Sequence, residues 1–126
     1  MLVKELINPK SIVVVGGSNN LQKTGGKVLY NLLQGSFAGD LYVLNPKETV
    51  VQGLKSYQRI EDLPDTDLAI LAIAASFCVE TVRYLVENKR TRGFIILSAG
   101  FAEESREGAR LEQEIRDIID KAGGSL

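Results

Sequence analysis

The sequence has no histidine among its 126 residues, and one cysteine, Cys78. The first absence excludes triads that use an imidazole, histidine metal ligands and phosphohistidine chemistry within this chain. With a single thiol as well, an internal disulfide is impossible and a zinc site lacks its usual donors. That cysteine usage fits a reducing, cytoplasmic setting. No apolar run approaches the ~20 residues of a membrane span, and no charged start followed by an apolar stretch reads as a signal peptide. The formal net charge is −1, which excludes a broadly basic, non-specific nucleic-acid binder. Internal repeats and low-complexity segments are missing too. What remains is an ordinary globular composition, 44% hydrophobic and 25% charged, at a length that suits one domain with a real core.

The pattern along the chain is an alternation. SIVVVG (11–16) reads as a short buried strand. Val28, Leu29, Leu32 and Leu33 set a helical face over 27–34, with Gly35 and Gly39 at its exit. DLYVL (40–44) is a second strand, stopped by Asn45-Pro46. The stretch 48–64 is irregular, with room for a short β segment and one helical turn. DLAILAI (67–73) is a third strand, and Val79, Val82, Leu85 and Val86 mark the next helix. GFIILS (93–98) is a fourth strand. A last helix begins near Glu104 and carries Leu111, Ile115, Ile118 and Ile119 on one face. Unbroken apolar strands alternating with amphipathic helices predict an α/β domain, a Rossmann-like doubly wound parallel sheet covered on both faces. The final KAGGSL (121–126) closes the last helix and opens what reads as a fifth strand. Either the chain is a domain cut from a longer protein, or these residues are a short disordered tail.

The stretch VVVGGSNNLQKTGGKV (13–28) is where function concentrates. In such sheets ligands bind beyond the carboxyl ends of the strands, against the first helix N-terminus, where backbone N–H groups and the helix dipole favour anions. Gly16 and Gly17 let the chain turn and a phosphate approach. Ser18, Asn19 and Asn20 can donate further hydrogen bonds, and Gly25 and Gly26 let the helix begin close to the sheet or the ligand. A tight turn with no ligand is the alternative. Two common motifs fail. A dinucleotide fingerprint needs a glycine where Ser18 stands, and a P-loop needs a glycine at Leu21 and a hydroxyl at Val28. NAD sites also place an acid at the end of the second strand. Here that position falls at about Asn45, within NPK, and Lys47 adds a positive charge instead. A ligand with a phosphate on its ribose fits better, and both NADP and coenzyme A (CoA) qualify.

At this level the chain resembles a family. INPKSIVVVGGSNN, TGGKVLYNLL, LYVLNPK, VQGLKSY, EDLPDTDLAILAI and FIILSAGFAEE, in this order, resemble the CoA-binding domain of NDP-forming acyl-CoA synthetases. These are the ADP-forming acetate–CoA ligases, related to the succinyl-CoA synthetase α subunit. The resemblance covers essentially the whole chain. It implies that Gly16, Gly17, Ser18, Asn19 and Asn20 hold CoA phosphates, with Gly25 opening the helix, and that Lys47 meets a phosphate of the nucleotide. It also implies that Ala74, Ala75, Ser76 and Phe77, and Leu97, Ser98, Ala99 and Gly100, line the rest of the groove. The chain departs from the family in having Ala74 and Ala75 where a proline is common, and Gly17 where an alanine is common. Ala99 stands where a succinyl-type enzyme has glutamate, which fits the acetyl-type branch. The family's catalytic histidine and nucleotide-grasp machinery lie in further domains or a β subunit, so the chain alone would be non-catalytic. The implied parent reaction converts an acid, CoA and a nucleoside triphosphate into acyl-CoA, nucleoside diphosphate and phosphate. Two other readings stay open. One is a stand-alone CoA-binding or regulatory module, the other an NAD(P)-binding sensor or dehydrogenase domain.

Other residues have plainer readings. Cys78, beside a helix start, is either an acidified thiol able to form a mixed disulfide with CoA or a buried core residue. Glu103, Glu104 and Glu107 read as first-turn acids of a helix rather than catalytic carboxylates. Lys89, Arg90 and Arg92 read as a surface loop. Tyr57 either packs against an adenine or caps the irregular segment.

Overall fold

A computed structural model describes residues 3–97 and 106–126. After a short first helix α1 (Lys4–Ile7), the elements are β1 (Ser11–Val15), α2 (Thr24–Gln34), β2 (Asp40–Leu44), β3 (Val50–Val51), β4 (Leu54–Tyr57), a 3₁₀ turn (Ile60–Asp62), β5 (Leu68–Leu71), α3 (Ala75–Asn88), β6 (Gly93–Ile96) and α4 (Arg106–Lys121). The six strands form one sheet in the order β3-β4-β2-β1-β5-β6. All pairings are parallel except β3 with β4. The fold is the Rossmann-like α/β sheet that the alternation predicts.

The central strands are apolar throughout because both faces are covered. Val14 and Val43 pack under Leu29 of α2, and Ile12, Leu68 and Ile70 meet Leu6 of α1 on the same side. Val13, Val15, Ala69, Leu71 and Phe94 face the other way, against Val79, Val82 and Leu85 of α3 and Ile115 and Ile119 of α4. Val13, Val14 and Phe94 are completely inaccessible to solvent. Burying a side chain of this kind stabilises the fold by about 1.5–3 kcal/mol each, an upper bound because the unfolded chain already hides some surface.

The structure shortens the third and fourth predicted strands to Leu68–Leu71 and Gly93–Ile96 and changes three further stretches. Helix α2 starts at Thr24 rather than Lys27, so Gly25 and Gly26 lie in its first turn and are buried. Glycine disfavours helix on propensity alone, but close packing of that turn overrides it. The irregular stretch 48–64 contains a β3–β4 hairpin, and β4 joins the sheet beside β2 through Val43↔Ser56 and Leu44↔Tyr57. At the other edge Ser125 bridges Gly93 in parallel. Its N–H donates to the Arg92 carbonyl at 2.8 Å and its carbonyl accepts from Phe94 at 2.9 Å. It is a single bridge, in the segment KAGGSL that was read as opening a further strand.

Register brings the strand ends together. Val15 lies level with Leu44 on one side and Leu71 on the other. One residue further, Gly16 donates to the Leu44 carbonyl (2.9 Å), Ala72 to Val15 (2.8 Å) and Leu97 to Leu71 (2.9 Å). The connection from β1 runs through α2 on one face, and the connection from β5 runs through α3 on the other. The sheet therefore reverses its winding between β1 and β5, where α/β sheets leave a crevice.

Candidate functional site

A cleft of ≈ 460 Å³ opens at that reversal, lined by Gly16, Gln22, Lys23, Thr24, Gly25, Ala72, Ile73, Ala74 and Leu97. The N-termini of α2 and α3 both border it. Neither has a side-chain cap, and neither has an acid in its first turn. First-turn N–H groups have no acceptor within their own helix, and a cap normally satisfies some of them. Two such ends beside one cleft, with Lys23 in its lining, favour an anion by composition as well as by dipole.

Backbone proximity builds the turn. Gly16 has φ +89°, and a Cβ there would stand 2.5 Å from the Ala72 carbonyl oxygen. A Cβ on Gly25 would run into the Gly16 carbonyl. These glycines bring β1, β5 and the start of α2 into backbone contact. Their missing Cβ atoms make room for backbone, which fits the reading that Gly16 lets the chain turn and Gly25 lets the helix begin close to the sheet.

Between the glycine pairs the polar side chains bind the loop itself. Ser18 Oγ accepts from the Asn20 N–H (3.0 Å), and Asn20 Oδ1 from the Gln22 N–H (2.9 Å). Asn19 reaches the β3–β4 hairpin, accepting from the Gln52 N–H at 2.7 Å and donating to the Val50 carbonyl at 3.2 Å. Gln52 Nε2 donates to the carbonyls of Ser18 (2.8 Å) and Gly26 (2.9 Å). Asn45, at the end of β2, donates to the Gly17 carbonyl and accepts from the Lys47 N–H, each at 2.9 Å.

Of the residues singled out in the sequence, Gly16, Gly25, Ala74 and Leu97 line the cleft. Gly17, Ser18, Asn19 and Asn20 form the loop behind it. Ala75, Ser76 and Phe77 are the first turn of α3 rather than a connecting turn. Ala75 is buried and Phe77 is exposed. Lys47 lies exposed beyond β2, outside the lining of the cleft. Ser98, Ala99 and Gly100, like Glu103 and Glu104, fall outside the described residues. Gln22, Lys23, Thr24, Ala72 and Ile73 complete the lining and were not singled out. The first three lie between the two glycine pairs, and that position was their available signal. Asn45 and Gln52 emerge as loop-holding residues, which no local pattern marks.

The remaining candidates settle into structural places. The Cys78 thiol is fully buried, 3.6 Å from the Ala74 carbonyl oxygen, in the core reading. Glu107 is exposed and bonded to Arg110 at 2.7 Å, which lowers its carboxyl below the usual range mainly through that hydrogen bond. Lys89 donates to the Glu61 carbonyl, Arg92 to those of Val86 and Thr91, and Arg90 pairs with Asp65. The Tyr57 ring meets Tyr42 edge-on at 6.0 Å, with Lys55 Nζ 4.9 Å from its centre. A separate cleft of ≈ 340 Å³ lies between β6 and α4, lined by Phe94, Ile95, Ile96, Glu112, Ile115, Arg116 and Leu126. It is at the sheet edge, and its one cation, Arg116, faces Glu112 at 3.6 Å, so it offers an anion nothing comparable. Among the described residues no group of acids or cysteine is placed to hold a metal ion, and no helix is long and apolar enough to cross a membrane.

Comparison with known proteins bears on what the cleft holds. The family model described as "CoA binding domain" matches residues 10–123. The chain belongs to the CoA-binding domain family. It is 36% identical over 122 residues to the ADP-forming acetate–CoA ligase II of Archaeoglobus fulgidus, covering 96% of this chain and 18% of that protein. It is 38% identical over 117 residues to the α subunit of the Pyrococcus furiosus ADP-forming acetate–CoA ligase II, covering 92% of this chain and 25% of the subunit. Among solved structures it superimposes with a TM-score of 0.86 on a Ca. Korarchaeum cryptofilum dinucleotide-forming acetyl-coenzyme A synthetase in complex with phosphate and ADP. That match has 30% identity and covers 98% of this chain and 26% of the other. The chain thus spans between about a fifth and a quarter of the length of these three proteins. This CoA-binding domain is of the kind found in NDP-forming acyl-CoA synthetases, and CoA is its ligand.

Proposed function

We propose that the cleft between β1, β5 and the start of α2 receives the pyrophosphate of CoA, and that the chain is the CoA-binding part of a cytoplasmic, ADP-forming acid–CoA ligase. The observation that carries this reading is the pair of uncapped, acid-free helix N-termini beside one cleft. They supply preorganised N–H donors to a doubly charged group at no reorganisation cost. Lys23 adds a cation at the pyrophosphate, and Lys47, beyond β2, serves the 3′-phosphate. Asn45 argues against a free ribose at that end of the sheet, because its amide is committed to backbone.

In the parent reaction this domain binds and orients CoA so that its thiol attacks an activated acyl group. Forming the acyl phosphate and relaying the phosphoryl group need a histidine, and the chain has none. Those steps belong to other domains or to a β subunit. Titration calorimetry with CoA, NAD and NADP tests the reading. CoA should bind tightest, and tighter binding of NAD would refute it.

A further inference from the structure

We propose that Gln52 is the positioning residue of the CoA phosphate loop, acting through the carbonyls of Ser18 and Gly26. The inference rests on the CoA reading of the cleft and adds to it a residue from a different part of the chain, the β3–β4 turn.

Gln52 and Gly53 have φ +47° and +83°, so both central residues of the hairpin turn lie in the left-handed region. Asn-Gly is the sequence that such turns prefer, and glutamine has no comparable ease there. Its side chain supplies the reason for its presence. The two protons of one Nε2 go to Ser18 O (2.8 Å) and Gly26 O (2.9 Å), in partly buried surroundings. Those carbonyls stand at opposite ends of the 18–26 loop, one just after the glycine turn and one inside the first turn of α2. A single planar amide holding both fixes the span of the loop and the planes of the two peptides. Asn19 completes the clamp from the loop side, through the Gln52 N–H and the Val50 carbonyl. Gln22, Lys23, Thr24 and Gly25, which line the cleft, are the residues enclosed by this span. Gln52 itself does not line the cleft, so its effect on the ligand is exerted through the loop.

Turn chemistry separates a positioning role from a merely structural one. Gln52→Asn suits the left-handed turn at least as well, but it is one methylene too short to reach both carbonyls. Gln52→Gly relaxes the turn and removes the amide. Relief of the strained turn offsets part of the stability lost with the two bonds, so both variants should unfold close to the wild-type temperature, while calorimetry shows CoA binding weakened about tenfold. Dephospho-CoA should weaken by the same factor, since the pyrophosphate is common to both ligands. Amide hydrogen exchange should quicken at 19–27 and stay unchanged in β5. Wild-type CoA affinity in both variants would overturn the inference and leave the CoA reading standing. A weakening matched by a lowered unfolding temperature and faster exchange throughout the sheet would overturn it in favour of a structural role. A wild-type chain that binds no CoA would overturn both.

Discussion

Asn45 and Gly17 are joined across 28 residues of sequence by one hydrogen bond, from Asn45 Nδ2 to the Gly17 carbonyl at 2.9 Å. It ties the end of β2 to the glycine turn after β1. The other half of the same amide accepts from the Lys47 N–H at 2.9 Å, so Asn45 also sets the start of the segment that carries Lys47. The amide donates from its nitrogen and accepts at its oxygen, so one side chain serves both partners.

Asn45→Asp tests this arrangement, and it introduces the acid that NAD sites carry at this point. The carboxylate can still accept from Lys47, but it turns an acceptor toward the Gly17 carbonyl. Urea unfolding should show a loss of about 1–3 kcal/mol, the cost of leaving a partly buried acceptor without its donor. CoA affinity should fall as well. NAD binding should not appear, because the new carboxylate stays turned to the Lys47 N–H, and its appearance in calorimetry would refute that account.

Gly25→Ala places a methyl group against the Gly16 carbonyl. Backbone on both sides leaves no flexible side chain to yield, so α2 must move off the turn. We expect about 1–3 kcal/mol of destabilisation, the usual scale of overpacking, together with loss of detectable CoA binding. A variant of wild-type stability and affinity would mean that the first turn of α2 is free to shift.

Tyr42 gives a pH prediction. Its phenol is held above the ordinary value near 10, first by burial, then by the Asp40 carboxylate and by Tyr57. A folded-state value raised above the unfolded one means that the folded chain keeps its proton longer. This contribution is complete below about pH 10 and is lost as pH rises through the folded value. Stability measured from pH 9 upward should decline less steeply in Tyr42→Phe than in wild type. Parallel declines would show that the phenol titrates alike in both states.

Strand and helix positions were legible because periodicity reports burial. Unbroken runs such as VVV and LAIL lack alternation because both faces of the strand are covered, and DLYVL matches β2 residue for residue. The glycine turn was legible from its place after the first strand. Local rules failed where tertiary contact overrides them. Gly25 and Gly26 belong to a helix that propensity would start later, because the Gly16 and Asn20 carbonyls crowd the space a side chain would occupy. The Gln52 clamp acts over 34 residues to Ser18, and no pattern within a window of sequence contains it. Ser18, Asn19 and Asn20 were read for their donors, yet in the fold their oxygens accept from the chain's own N–H groups.

The chain by itself should not become phosphorylated. Incubation with γ-labelled ATP should leave no acid-labile label, because there is no imidazole to carry it. Label that survives alkali and is lost in acid would contradict the assignment of the phosphoryl relay to other parts of the ligase.

In the proposed reading Lys23 and Lys47 divide the ligand between them, and CoA and dephospho-CoA separate their roles. Lys23 lines the cleft beside Thr24 and Gly25, where the pyrophosphate is proposed to sit. Lys47 follows Pro46 beyond β2, fully outside that lining, with its N–H fixed by Asn45. Lys47→Ala should weaken CoA by roughly 1.5–3 kcal/mol, the scale of a hydrogen bond to a charged group, while barely changing dephospho-CoA. Its exposure puts the effect at the low end of that range, and raising the salt concentration should erode it further. Lys23→Ala should weaken both ligands alike, since both keep the pyrophosphate. Calorimetry on the two variants with the two ligands gives four affinities, and only the ligand-selective loss at Lys47 identifies a 3′-phosphate contact. Equal losses at Lys47 for both ligands would move its ammonium to the pyrophosphate. No loss for either would leave Lys47 a turn residue, and the positive charge after β2 would then no longer distinguish a phosphorylated ribose from a free one.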